Sequence, residues 1–263
     1  MKYFGGCDVG STYTKTVILD ENGAIAAANT IKSKINSAQS AKAGLDQAIA
    51  DAGLKEISDL TYLIGTGYGR NKVPQADENI SEISCHAMGV HVTDPSVRAI
   101  IDIGGQDVKG IAVDTDGTVK TFAMNDKCAA GTGRFFESMA RAFEMSLDEF
   151  SNLSLTAKNV IPITAQCAVF AESEVISLVG EGKPMEEIAA GIQLSVAKRC
   201  FVMAKKAGAA DSVTLTGGCA KNEGLKKAIE KVLKINVVDL PTDPQLMGAL
   251  GAAEYARQKG SNV

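Results

Sequence analysis

The sequence predicts an α/β protein in which one domain design is used twice, with a nucleotide clamped between the two copies. Three observations predict it. Ile100–Lys109, I-I-D-I-G-G-Q-D-V-K, carries an apolar run into an aspartate, then a glycine pair, then a polar turn ending in lysine. Cys7–Lys15, C-D-V-G-S-T-Y-T-K, repeats the plan, with Asp8/Asp102, Gly10/Gly104 and Lys15/Lys109 in register at an offset of 102 − 8 = 94 residues. The copies still match beyond the lysines, where T-V-I-L-D-E-N-G-A-I-A and G-I-A-V-D-T-D-G-T-V-K each place a tight turn, Asn22-Gly23 or Asp116-Gly117, between two strands.

An offset of that length is too long for a solenoid repeat and suits a duplicated domain. Two unrelated hairpins would have to agree by chance over many positions. A buried strand that delivers a carboxylate to a glycine-rich turn suits a metal-phosphate: the glycines let backbone N–H groups approach the oxygens, and the aspartate holds Mg2+ directly or through its waters.

The chain has 263 residues, 45% of them hydrophobic, with a net charge of −4. That length buries a good core as one large domain or two small ones. The charge and the lack of a basic run argue against a nucleic-acid surface. The N-terminus shows no signal-peptide core and no stretch is long enough to span a bilayer, so a cytoplasmic protein with no membrane association is expected. Six cysteines in such a protein stay reduced, as packing, redox centres or metal ligands.

In chain order, residues 1–28 read as the first three strands. Ser40–Ala52 has helical spacing and ends at Gly53, and Asp59–Thr66 is a strand running into a third glycine cluster, Gly65-Thr66-Gly67-Tyr68-Gly69-Arg70. That cluster either lines the nucleotide site or makes a loop. Ile80–Val90 reads as a helix. Its Glu82, 102 − 82 = 20 residues before Asp102, either orients the attacking water or is an ordinary acid at a helix N-terminus. His86 and His91 have no second ligand at metal spacing and read as ordinary helix residues.

After the second copy's strands, to about Met124, comes N-D-K-C-A-A-G-T-G-R-F-F-E-S-M-A-R-A-F. Phe135, Met139, Ala142 and Phe143 form an apolar helical face, so a helix begins near Gly131 to Gly133 with Cys128 just ahead. Pro162-Ile163-Thr164-Ala165-Gln166-Cys167 then leads into a second helix that also has a cysteine at its start. Backbone donors at a helix N-terminus favour a thiolate or an anionic metal–sulfur cluster. Two thiolates do not complete a four-ligand site, but a two-fold dimer supplies four. Two inert buried thiols are the alternative. Cys7, Cys85 and Cys200 read as core; Cys219 sits in a turn.

Residues 184–208 form a long amphipathic helix closed by Gly208. Ser212–Asn222, S-V-T-L-T-G-G-C-A-K-N, repeats the strand-to-glycine-pair design without the aspartate, which suits the nucleoside side of a nucleotide. Ile235–Leu240 is the last strand, residues 241–248 a loop, and Ala249–Gln258 a small-residue helix able to pack closely. The expected subdomains are 1–95 and 96–263, with the C-terminal helix, about 246–263, a candidate to pack on the first.

The turns at Asp8, Asp102 and Gly217-Gly218 resemble those of the actin, sugar-kinase and chaperone ATPase superfamily over the whole chain. That resemblance implies duplicated ribonuclease-H-like (actin-like ATPase) domains. Within it, K-C-A-A-G-T-G-R-F-F, T-A-Q-C-A-V-F-A-E-S-E and L-T-G-G-C-A-K-N resemble the activator (component A) of 2-hydroxyacyl-CoA dehydratases, in a family that includes the ATPase subunits of benzoyl-CoA reductase. The resemblance implies a homodimer with one 4Fe-4S cluster held by Cys128 and Cys167 of both subunits, reduced by ferredoxin or flavodoxin. ATP hydrolysis to ADP would then drive a low-potential electron into a dehydratase or related reductase.

By the same resemblance, Asp8 and Asp102 hold Mg2+. Gly10, Ser11, Thr12, Lys15, Gly104, Gly105, Gln106 and Asp107 meet the phosphates, and Gln106 or Glu82 orients the water. Gly217, Gly218, Lys221 and Asn222 meet the nucleoside, with Gln245 nearby. The alternatives are an activator of benzoyl-CoA reductase or of a double-cubane cluster reductase, a small-molecule kinase of the superfamily without a cluster, or a non-enzymatic nucleotide-binding regulator.

Overall fold

The computed structural model describes residues 1–164, 167–208 and 212–261. Its framework is two five-stranded mixed sheets that share one topology. In the first, β1 (Tyr3–Val9), β2 (Tyr13–Asp20), β3 (Ile25–Lys32), β4 (Tyr62–Thr66) and β5 (Glu78–Asn79) lie in the order β3-β2-β1-β4-β5. Helices α1 (Ser37–Asp51) and α2 (Glu82–Thr93) belong to it. In the second sheet, β6 (Ala99–Ile103), β7 (Val108–Val113) and β8 (Val119–Asn125) form the meander. Helices α3 (Gly133–Ala142), α4 (Leu147–Leu155), α5 (Ala168–Gly180) and α6 (Met185–Lys206) precede β9 (Val213–Thr216), α7 (Glu223–Leu233) and β10 (Val237–Val238). The order β10-β9-β6-β7-β8 is the first sheet's order read from the other edge.

The central strands repeat the same pairing. β1 runs antiparallel to β2 and parallel to β4, with Asp8 opposite both Lys15 and Thr66. β6 runs antiparallel to β7 and parallel to β9, with Asp102 opposite both Lys109 and Thr216. The duplication inferred from the aspartate, glycine and lysine spacing is therefore a duplication of strand register.

Two compact units result. One comprises Met1–Val97, Val113–Lys120 and Leu240–Val263; the other comprises Arg98–Ala112 and Thr121–Asp239. The last helix, α8 (Met247–Gly260), lies in the first unit, on β1 and α2. Glycines set that approach. A Cβ on Gly6 would come within 2.1 Å of the Ala249 carbonyl oxygen, and one on Gly251 within 1.8 Å of the Cys85 carbonyl oxygen. The Ala249, Ala252, Ala253 and Ala256 methyls fill the remaining space, all fully buried. In the second unit the core lies under α3 and α6, where Phe135, Phe136, Met139, Phe143 and Phe150 are buried and Phe143 meets Phe150 edge-on at 5.2 Å.

Element boundaries follow local caps. Helix α1 starts at Ser37 because the Asn36 side chain accepts from the Ala38 and Gln39 amides. Strand β4 starts only at Tyr62, because Asp59 accepts from the Lys55 and Glu56 amides and closes a short 3-10 turn before it. Ser81 caps α2, leaving Ile80 outside the helix. Among the described residues, no helix is long and apolar enough to cross a membrane.

Candidate functional site

In the first unit the site grows from the end of β1. The Lys15 ammonium lies 2.5 Å from Oδ2 of Asp8, and both side chains are largely buried. The turn after β1 is closed by the Gly10 amide donating to the Tyr13 carbonyl. The Ser33 hydroxyl donates to the Gly10 carbonyl at 2.8 Å, and the Ser33 amide donates to the Thr12 carbonyl at 2.9 Å. Ser11 and Thr12 are thereby held at the tip. The Thr12 hydroxyl oxygen is buried yet has no hydrogen-bond partner among the described residues. A buried polar atom without a partner costs free energy, so an oxygen-rich ligand at this turn fits it.

The third glycine cluster belongs to this site and is not a detached loop. Gly67 has φ +85°, a conformation that suits glycine, and a Cβ there would come within 2.3 Å of Oδ1 of Asp8. On the other side, a Cβ on Gly248 would lie 2.9 Å from both Oδ2 of Asp8 and Nε2 of His86. The Asp8 carboxylate is thus walled by two glycines and a buried imidazole. His86, read from sequence as an ordinary helix residue, stands beside the carboxylate. Glu82 is one turn earlier on α2, on the same helical face by its i, i+4 spacing. Gln245 is buried in a short 3-10 turn whose Asp243 cap accepts from its amide, and it belongs to this first unit.

In the second unit, Asp102 ends β6 and is as buried as Asp8. Lys109 lies 3.2 Å from Oδ2 of Asp102 and 2.9 Å from Oδ2 of Asp107. The Gly104 amide donates to the Asp107 carbonyl, which closes the turn around Gly105 and Gln106. The Thr216 hydroxyl donates to Oδ1 of Asp102 at 2.9 Å, a contact not found from the sequence. Its signal was available only as strand register, since Thr216 lies opposite Asp102. Gly217, at φ +83°, copies Gly67: a Cβ there would approach the Ile103 carbonyl oxygen to 2.4 Å and Oδ1 of Asp102 to 2.9 Å.

Beyond Gly217, a 3-10 turn over Gly218–Lys221 leads to α7. Gly218 and Lys221 are exposed at its two ends. Asn222 caps α7, and its Oδ1 accepts from the Leu225 amide at 2.9 Å, Gln193 at 3.1 Å and Ser151 at 2.8 Å. Its carbonyl oxygen is therefore committed to holding α7, α6 and α4 together.

The cysteines divide clearly. Cys7, Cys85 and Cys200 are fully buried, and burial pushes each thiol up to about 12. Burial raises the Cys219 thiol as well; its sulfur would lie 3.4 Å from a Cβ on Gly133. Cys128 is half-buried and Cys167 exposed. Cys167 is the N-cap residue of α5; among the described residues no side chain caps that helix, and its first turn holds no acid. Backbone donors there are open to an anionic group. Cys128 lies ahead of α3, which begins at Gly133, within the expected range; between them is a tight turn in which the Thr132 amide and hydroxyl both donate to the Ala129 carbonyl. Ala165 and Gln166 of the segment before Cys167 lie outside the described residues. Among the described residues, no three or more His, Cys, Asp or Glu side chains gather into a metal-holding group.

The model of the BadF/BadG/BcrA/BcrD ATPase family matches residues 6–256. The activator of lactoyl-CoA dehydratase from Anaerotignum propionicum is 48% identical over 254 residues, covering 97% of each chain. The crystal structure of the Acidaminococcus fermentans (R)-2-hydroxyglutaryl-CoA dehydratase component A superposes with a TM-score of 0.93 at 41% identity, over 99% of this chain and 100% of that one. The activator of the 2-hydroxyisocaproyl-CoA dehydratase from Clostridium difficile, solved with bound ADPNP, superposes with a TM-score of 0.93 at 42% identity, over 99% of this chain and 96% of that one.

Proposed function

Because the chain belongs to the BadF/BadG/BcrA/BcrD ATPase family, we propose that it is the ATP-driven electron donor to a 2-hydroxyacyl-CoA dehydratase. The observation that carries this reading is the coexistence in one chain of paired carboxylate–lysine turns with two cysteines left outside the core. Relatives at this level of identity that are named as dehydratase activators support it. A small-molecule kinase of the same fold has no use for an exposed thiol at a helix N-terminus.

Asp8 and Asp102 hold Mg2+ through its waters. Lys15 and Lys109 fix the two carboxylates in direction, at N–O distances of 2.5 Å and 3.2 Å. The turn amides after Gly10 and Gly104, at Ser11–Thr12 and Gly105–Gln106, meet phosphate oxygens, and the Thr12 hydroxyl supplies a further donor. Gln106 or Glu82 orients the water. Gly217, Gly218 and Lys221 meet the nucleoside.

Cys128 and Cys167 are the ligands of a 4Fe-4S cluster, which when bound accepts and passes one electron at low potential. One protomer supplies two thiolates and a cubane takes four, so a homodimer completes the site. Helix α5, which starts at Cys167, exposes Val169 and Phe170 in its first turn and Ile176 and Val179 farther along. Exposed apolar side chains of this size next to the cysteine suit an interface. A ferredoxin or flavodoxin is the electron source, and the cytoplasm is where such donors and a CoA-ester substrate meet.

The test is iron and acid-labile sulfide analysis on anaerobically purified protein, with ATPase turnover on the same sample. About four irons per two chains are expected, with loss of iron but retained ATP binding in Cys128→Ala and in Cys167→Ala. A colourless protein that binds ATP after attempted cluster reconstitution would return the chain to the kinase reading.

A further inference from the structure

One helix touches everything the proposed function has to connect. The first turn of α3 is fastened to the second phosphate turn: the Gly133 amide donates to the Gly104 carbonyl at 2.9 Å and the Arg134 amide to the Gly105 carbonyl at 3.1 Å. With the Gln106 amide turned so that its oxygen faces Arg134, the guanidinium adds a forked contact, donating from Nε and Nη2 at 3.2 Å each. Gly133 leaves no slack, since a Cβ there would stand 3.3 Å from the Gly104 oxygen and 3.4 Å from the Cys219 sulfur. At its N-terminal side α3 runs back through the tight Ala129–Thr132 turn to Cys128. At its middle, the Ser138 hydroxyl donates to Glu172 of α5 at 2.8 Å, one turn beyond Cys167.

We propose that α3 transmits the occupancy of the second phosphate turn to both Cys128 and Cys167. Arg134 is a positioning residue acting through Gln106, and Ser138–Glu172 is the branch that reaches Cys167. The inference deepens the function proposed above and rests on that reading for its purpose, though its test needs no cluster. The physical reason is stiffness. A helix is a rigid lever over ten residues, so a shift of the turn at one end moves whatever is bonded farther along it. Both Arg134 and Gln106 are exposed, so their contact adds little to the stability of the fold and is free to respond to a γ-phosphate.

The experiment measures alkylation of each cysteine, by peptide mass spectrometry, in the iron-free full-length chain with ATP or with ADP. In the wild type, the ATP-to-ADP ratio of rates should depart from one by at least about threefold at both Cys128 and Cys167. Ser138→Ala should keep the Cys128 response and bring the Cys167 ratio to near one, a split that general loosening does not produce. Arg134→Ala should flatten both responses while ATP binding persists; Arg134→Lys, which keeps the charge but not the fork, should not rescue them.

A wild-type response retained at Cys167 in Ser138→Ala, an equal loss at both cysteines there, or full responses in Arg134→Ala would each overturn the inference. So would the absence of any nucleotide response in the wild type. A wild-type protein that shows the response but takes up no iron would instead overturn the electron-donor function and leave the coupling standing.

Discussion

The two units hold the same carboxylate–lysine pair and build different surroundings for it. In the first, a helix closes on the central strand itself. Gly6 of β1 gives α8 its seat, and the corresponding position in the second unit, 6 + 94 = 100, is the fully buried Ile100. In the second unit the long α6 lies against the central strand β6 and also reaches β7, where a Cβ on Gly110 would meet the Met203 carbonyl. The glycine that allows a close backbone approach is on the neighbouring strand there, not on the central one. The threonines diverge as well: Thr216 spends its hydroxyl on Asp102, whereas Thr66 donates to the Ile80 carbonyl at 2.9 Å. What the pair shares is a buried carboxylate near a strand end, held by a lysine and followed by a glycine turn. What differs is the packing that lets one unit carry α8 and the other carry the cysteine helices.

Installing the second unit's residue in the first, Gly6→Ile, is the harshest way to break the comparison. The new side chain would collide with backbone atoms of α8 that have no rotamer to change, so a loss above about 4 kcal/mol is expected in urea unfolding. The lysines should then separate the units. Lys109 serves two carboxylates and is almost fully buried, and Lys15 is paired with Asp8. Lys109→Met should cost about 3–5 kcal/mol by stranding buried charge, and Lys15→Met measurably less. Equal losses would show that the second carboxylate, Asp107, adds nothing.

The threonines give a finer contrast. Thr216→Val should cost about 1–3 kcal/mol and lower ATP turnover, because it unties the Asp102 carboxylate. Thr66→Val should show a similar stability loss with a smaller effect on turnover. If both variants turn over ATP equally well, the Thr216 contact is structural only.

The smallest effect at neutral pH becomes visible in alkali. Cys7 and Cys85 in the first unit and Cys200 in the second are held as neutral thiols, pushed up to about 12 from the usual 9.0 by burial. Between those values the unfolded chain has lost protons that the folded chain keeps, so stability falls as pH rises. Stability from these three groups should be flat below about pH 9 and decline from there toward pH 12, as followed by denaturant midpoints. Cys7→Ala, Cys85→Ala and Cys200→Ala should each lessen the slope. An unchanged slope in all three would mean that the thiols are not what titrates.

Much of this was legible in the residues. The repeat of aspartate, glycine and lysine at a constant offset predicted two sheets of one topology, because a strand that ends in a buried carboxylate needs the same turn and partner each time. Cys7, Cys85 and Cys200 were legible as core from their apolar neighbours. Thr216, His86 and Arg134 were not assigned to the site, and Gly67 was left between lining it and making a loop, since each reaches it through a strand register or a packing contact that crosses long sequence distances. Cys128 was legible as lying just ahead of a helix that begins near Gly131 to Gly133; the tight turn closed between them by the Thr132–Ala129 hydrogen bonds was not.

By itself, then, the sequence determined the local chemistry: which strand carries a carboxylate, where a glycine must take a positive φ, and which cysteines lie among apolar residues. These are matters of neighbours along the chain, where periodicity and turn preference act. Tertiary structure turned the last helix from a candidate into a partner of the first sheet, and it alone decided that Thr216 meets Asp102 and that α3 lies against the Gly104–Asp107 turn. Those outcomes depend on how closely two backbones can approach. That distance is set by small residues on both partners at once, and reading either segment alone does not reveal the match.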